Sequence, residues 1–213
     1  MLYSDLFQRL QDWGENSGAE YLANIPGFIE NGEARCYRDI DFDVLRTVGT
    51  LNLVNGTPTV SAPGDFYLAR YLTLIDVSGN RTPLLPKDAS FINEFWPISA
   101  TTGQPLFYAM QDEATFVFAP TPPNGYTVEL GYTNRPAAIS DGNPSTWLST
   151  HCADLLFYAC MVEAATFMKQ TPQAAAADQT ATYYETRYQQ AKQAAMTEEQ
   201  RKRGDEYRNG EPR

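Results

Sequence analysis

The side chains able to do acid–base, nucleophilic or metal chemistry are few and scattered. His151 is the only imidazole in 213 residues. It sits beside Thr150 at an expected helix start, where a histidine more often caps or meets a neighbour than acts as a base. Three cysteines are present, Cys36, Cys152 and Cys160. On one helix Cys152 and Cys160 would stand about 12 Å apart at 1.5 Å per residue. A disulfide reaches roughly 7 Å between Cα atoms, so reduced, largely buried thiols are expected. One histidine and three unpaired cysteines do not make a zinc site. No Gly-rich phosphate loop, nucleophile elbow or zincin helix occurs. Asp39-Ile40-Asp41-Phe42-Asp43 places carboxylates at alternate positions. A calcium loop would continue with Gly and a later Glu; Val44 and Leu45 follow instead, so this reads as an acidic approach to the first strand. The expectation is no enzyme, with no catalytic residue, metal or cofactor.

Two other chemistries stay open. The 26 carboxylates offer pairs on paper, and a small hydrolase would show a concave pocket with two of them about 5–10 Å apart. The 13 Tyr, 11 Phe and 3 Trp would suit a carbohydrate-binding module if Trp and Tyr formed an exposed row on one sheet face. Trp96, in a proline-flanked loop, is the best exposed candidate for that.

The elements that must position these groups divide by composition. Of 14 prolines, 11 fall between Pro58 and Pro144, so the middle is not long helix while both ends can be. Residues 2–13 carry Leu2, Leu6, Phe7, Leu10 and Trp13 on one stripe and read as a helix. Residues 28–37 read as a second, with Pro26 near its first turn and Gly32 weakening it. Short strands follow: Leu51 to Leu53, a turn at Asn55-Gly56, then 57–60, 66–75, 81–85, 106–110, 115–119 and 126–133. About six short strands suit a small sandwich or curled sheet. From Ser145 the spacing of Cys152, Leu155, Leu156, Ala159, Cys160, Ala164 and Phe167 is helical. After Thr171-Pro172, Ala174, Ala177, Ala181, Tyr184, Tyr188, Ala191 and Ala195 make a narrow seam at 3,4 spacing. The sequence is therefore α+β: a helical bundle from residues 1–43 and 144–200, a β-rich insertion over 44–143, and a flexible tail over 201–213. The tail carries five basic and three acidic residues and is too polar to order alone.

Charge limits the partners. Sixteen cations against 26 carboxylates leave a net charge of −10 and a pI near 4.5, which does not suit a molecule that wraps nucleic acid through phosphates. No apolar run is long enough for a membrane span, and 1–5 shows no secretory n-region.

Four stretches together resemble the head-to-tail adaptor proteins of tailed bacteriophages, the neck or connector proteins beneath the portal. They are Ile25-Pro26-Gly27-Phe28-Ile29-Glu30 with Glu33-Ala34-Arg35; Ala62-Pro63-Gly64-Asp65-Phe66, followed by Pro83-Leu84-Leu85-Pro86; Gly103-Gln104-Pro105-Leu106-Phe107-Tyr108 with Phe116 to Pro122 and Tyr126 to Tyr132; and Trp147-Leu148-Ser149-Thr150 leading to Glu163-Ala164-Ala165. The resemblance implies a bundle interrupted by a β insertion, with a short helix near Asp88. It implies a homo-oligomeric ring, usually of twelve copies, between the portal protein and the tail (nozzle or tail fibre) proteins. That ring lies in the virion neck after assembly in the host cytoplasm, and DNA passes through its channel without specific binding. It also implies that the C-terminal segment docks on the portal; here that makes Arg201, Lys202, Arg203, Tyr207 and Arg208 candidates. Tyr184, Tyr188 and Trp96 are candidates for the contact between subunits.

Overall fold

The computed structural model describes residues 1–168 and 174–210, with side chains for 1–168 and 179–204. The helices are α1 (Tyr3–Gly14), α2 (Ala19–Asp39), α3 (Ala89–Phe95), α4 (Trp147–His151), α5 (Ala153–Met168) and α6 (Ala174–Gly210). The strands are β1 (Arg46–Asn52), β2 (Thr59–Ser61), β3 (Phe66–Ile75), β4 (Arg81–Pro83), β5 (Leu85–Pro86), β6 (Phe107–Asp112), β7 (Thr115–Ala119) and β8 (Thr127–Asn134). Two compact units result. One joins Met1–Asp43 to Ala137–Arg213 and is helical; the other, Val44–Pro136, is built of strands with α3. The protein is α+β.

The helical unit is organised around α5. Leu155, Leu156, Phe157, Ala159, Cys160, Met161, Ala164 and Ala165 are all buried, because α1, α2 and α6 each pack on this helix. The apolar stripe is broad, as a helix lying against a core needs, and leaves Asp154, Tyr158, Val162 and Thr166 partly or fully exposed along one strip. The helix from Ser145 is broken in two at Cys152 (φ −127°, ψ 46°). Thr146 caps α4 by accepting from the Ser149 N–H, and Ser149 reciprocates.

The second helix begins at Ala19, nine residues before the expected start, so Pro26 lies inside it. Pro26 lacks an N–H for the ladder, but Tyr21, Ile25, Phe28 and Ile29 are buried on one face, and that burial outweighs the lost bond. Gly32 has a packing role. A Cβ there would lie 2.7 Å from Cys160 Sγ and 2.9 Å from the Cys160 backbone nitrogen. Only glycine lets α2 and α5 approach this closely. The three cysteines are free thiols, with Cys36 and Cys160 buried.

The β unit is two four-stranded sheets, β1-β8-β3-β4 and β2-β7-β6-β5. Neighbours are antiparallel except β5 and β6, which are parallel. Leu51, Leu72, Leu74, Val128, Leu130 and Tyr132 from the first sheet share one core with Tyr108, Phe116 and Phe118 from the second. This is sandwich packing of alternating inward residues. Gly56 adopts φ +74° at the Asn55-Gly56 turn, a conformation glycine allows freely. Residues 137–143, expected in the insertion, belong to the helical unit. Glu33 of α2 accepts from the Ile139 N–H at 2.8 Å, and the Asn143 amide donates to the carbonyls of Ala137 and Ala138.

Candidate functional site

Charged side chains of the helical unit concentrate where α2 ends and α6 passes. Backbone alternation over 39–43 sends Ile40 and Phe42 into the core, 4% and 0% exposed. Phe42 packs on Trp147 at 5.2 Å. The intervening acids therefore lie on the other side of the chain, toward α6, and α6 meets each with a cation. Lys192 Nζ lies 2.9 Å from Asp39 Oδ2, which also accepts from the Tyr188 hydroxyl at 2.8 Å. Arg203 spans the other two, with Nη2 3.1 Å from Asp41 Oδ2 and Nε 3.0 Å from Asp43 Oδ1. Its Nη2 also donates to the Asp41 carbonyl at 2.7 Å. Glu199, 5% exposed, accepts from the Asp43 N–H at 2.9 Å and from Lys202 at 2.8 Å.

These contacts set the protonation of the clamp. Burial alone would raise the Asp39 carboxyl, but the bonds from Lys192 and Tyr188 outweigh it and hold it below the usual range. Glu199 is likewise held low: the Asp43 N–H and Lys202 overcome its desolvation. One turn earlier Arg35 pairs with Glu185 at 2.7 Å and lies over the Tyr188 ring at 4.1 Å. Glu33 is the opposite case. At 2% exposure, desolvation raises its carboxyl despite donation from the Ile139 N–H and the Thr146 hydroxyl.

The expected site residues fall into three groups. Tyr184 and Tyr188 are 5% and 0% exposed. Ala181 and Ala195 of the same seam are buried with them, while the Ala174 and Ala177 side chains fall outside those described. Trp96 is half-buried, and its indole N–H donates to the Thr101 carbonyl at 2.8 Å, which ties down the 96–103 loop. Lys202 and Arg203 are engaged within the chain, Lys202 with Glu198 and Glu199. The stretch expected to be a flexible tail from residue 201 falls on α6, which runs to Gly210, and the printed bridges engage it as far as Arg203. Arg201 is exposed on α6. Tyr207 and Arg208 lie on α6, and their side chains fall outside those described; 211–213 lie wholly outside the described residues.

The open chemistries find little geometry. His151 is exposed, stacked on Trp147 at 5.0 Å, with Nδ1 3.1 Å from the Trp147 carbonyl. A shallow groove along α6, lined by Thr182, Thr186, Gln189 and Gln193, contains one carboxylate, Glu185, already paired with Arg35. Of the exposed sheet tyrosines, Tyr71 bonds Glu129 and Tyr67 lies under Arg135 at 4.8 Å, so they form no open row. The sequence did not reveal Lys192, Glu185 or Glu199. Only the Glu198-Glu199 to Lys202 spacing hinted at a bridge.

The β unit is inserted in sequence between the two halves of the helical unit, and among the described residues the charges of the helical unit fasten its segments to one another. Residues 1–212 match the family model for the SU10 adaptor protein, and the chain belongs to the SU10 adaptor protein family. This is a bacteriophage head-to-tail adaptor family, structural rather than enzymatic, which implies association with portal and tail proteins in the virion neck. No curated protein matches the chain significantly.

Proposed function

We propose that this adaptor forms a closed ring of twelve copies between portal and tail and continues the DNA channel. The observation that carries the reading is the family match across nearly the whole chain. A ring of identical subunits uses head-to-tail contacts that close by rotation. A net charge of −10 suits a channel through which DNA slides, since fixed cations would grip phosphates. The C-terminal end of α6 meets the portal. Arg201 is exposed there, and Tyr207 and Arg208 follow on the same helix; Tyr and Arg are residue types that interfaces favour. Lys202 and Arg203 serve the chain's own clamp, and hold α6 in place for that contact.

The test separates clamp from docking. Truncation after Gly204 keeps Lys192, Lys202 and Arg203 of the clamp and should leave the melting temperature unchanged while abolishing assembly on portal-bearing capsids. Electron microscopy of the full chain bound to its portal should show twelve subunits. Truncated protein that still builds infectious particles at normal yield would refute the docking role.

A further inference from the structure

The β unit holds its cations on one sheet. Val44–Pro136 contains five, and four of them, Arg46, Arg70, Arg81 and Arg135, lie on β1, β3 and β4 or just after β8. The inner face of this sheet is core. Its outer face exposes apolar groups between the arginines: Val48 61%, Leu68 50% and Tyr71 44%. The register explains the grouping. Val48 and Tyr71 both oppose Gly131, while Arg46 and Leu68 both oppose Thr133. The Tyr71 ring lies across Gly131, where a Cβ would collide with it. Register shifts in β3 between Phe66 and Leu68 and between Ala69 and Tyr71 leave Tyr67 and Arg70 as the extra residues. Such bulges re-aim side chains, and both residues are exposed.

The arginines are held while remaining accessible. Arg70 Nε donates to Thr133 Oγ1 at 2.9 Å, Arg81 pairs with Glu129, and Arg135 lies over Tyr67 at 4.8 Å. Oriented guanidinium groups lose less freedom on meeting a carboxylate. Tyr and Arg interleaved with Val and Leu are what protein interfaces select.

A complementary surface exists on the same chain. Residues 1–34 contain six carboxylates and one basic side chain, Arg9. Asp12 and Glu15 flank Trp13, itself 50% exposed at the end of α1, and Glu20 is exposed in the first turn of α2. We propose that the Arg46/Val48/Leu68/Arg70/Tyr71 face of one copy receives the Asp12/Trp13/Glu15/Glu20 corner of a second copy. The contact is head-to-tail and charge-steered, with Trp13 as its apolar anchor. It deepens the ring reading by naming one junction of the ring, and rests on that reading.

The experiment is a charge swap read by sedimentation velocity at low salt. Full-length wild type should self-associate at about 50 mM salt and lose about tenfold in affinity at about 0.5 M as screening shortens. R46E/R70E should be monomeric, and so should D12K/E15K. An equimolar mixture should associate again, because each junction then pairs opposite charges. Regained association also shows that both variants are folded, and V48K, which leaves every arginine in place, should weaken wild-type association independently. Wild type that associates equally with both reversals would overturn the surface while leaving the ring intact. Wild type that stays monomeric under all conditions and shows no ring on the portal would overturn both. A wild type that retards a DNA duplex, with R46E/R70E failing only in that, would assign the face to nucleic acid and overturn the proposal.

Discussion

Both units bury an apolar core but close it differently. The β unit is continuous in sequence; its core is Leu, Val and aromatic side chains, and its charges lie at the surface. The helical unit is interrupted by the 93 residues of 44–136. It uses charges as fasteners: buried Glu33 ties α2 to the returning chain at Ile139 and Thr146, and Asp39, exposed Asp41 and half-buried Asp43 tie the departing chain to α6. Apolar burial is non-directional. A unit assembled from distant segments gains specificity from bonds that fit only one register. Each fastener closes a long loop once, and the cost grows only slowly with loop length.

The two units should lose structure separately. Phe157→Ala in α5 and Phe116→Ala in β7 each remove a fully buried ring and should cost about 3–5 kcal/mol. Hydrogen exchange resolved by segment should show the loss confined to the unit that carries the substitution. Uniform loss across both units would mean that they act as one. Gly32→Val should cost about 3 kcal/mol by overpacking against Cys160, seen as a fall in helical melting temperature.

A buried fastener should matter more than an exposed one. Glu33→Ala leaves the Ile139 N–H and Thr146 hydroxyl without their acceptor and should cost about 2 kcal/mol. Its pH signature is opposite to that of the clamp. Because the folded Glu33 carboxyl is raised, its contribution is greatest at low pH and falls as pH rises through that raised value. The stability of wild type relative to Glu33→Gln should therefore decrease as pH rises from the ordinary carboxylate range through the raised value. Asp39, Glu185 and Glu199 are lowered, so their contribution is present above the ordinary carboxylate range and lost as pH falls through the lowered values. Asp39→Asn should flatten the acid limb of the melting curve. Arg203→Ala, on a partly exposed pair, should cost about 0.5–1 kcal/mol in chemical denaturation. His151→Ala should be the smallest, within about 0.5 kcal/mol and without effect on infectivity.

Periodicity made much of the fold legible. Val128, Leu130 and Tyr132 alternate with Thr127, Glu129 and Thr133, and they are the inward residues of β8. Proline placement located the strands. Asn55-Gly56 and its positive φ mark a turn that composition could name. What failed was partnership. The Ala/Tyr seam of α6 announces one apolar face, but not whether its neighbour is α5 of the same chain or another copy. Asp39, Asp41 and Asp43 read as a solvated loop because their cations lie roughly 150 residues away. The start of α2 was missed because Pro26 looks like an N-terminal signal. Tertiary burial of Tyr21 and Ile25 overrides it.

The interrupted layout also fixes an order in time. Residues 1–43 leave the ribosome long before Glu199, which accepts from the Asp43 N–H. At roughly 5–20 residues per second of synthesis, α1 and α2 wait about 8–30 s before α6 can meet them. The sandwich is complete well before that, since its last strand ends at Asn134. The nascent chain therefore carries a finished middle between two unfinished ends.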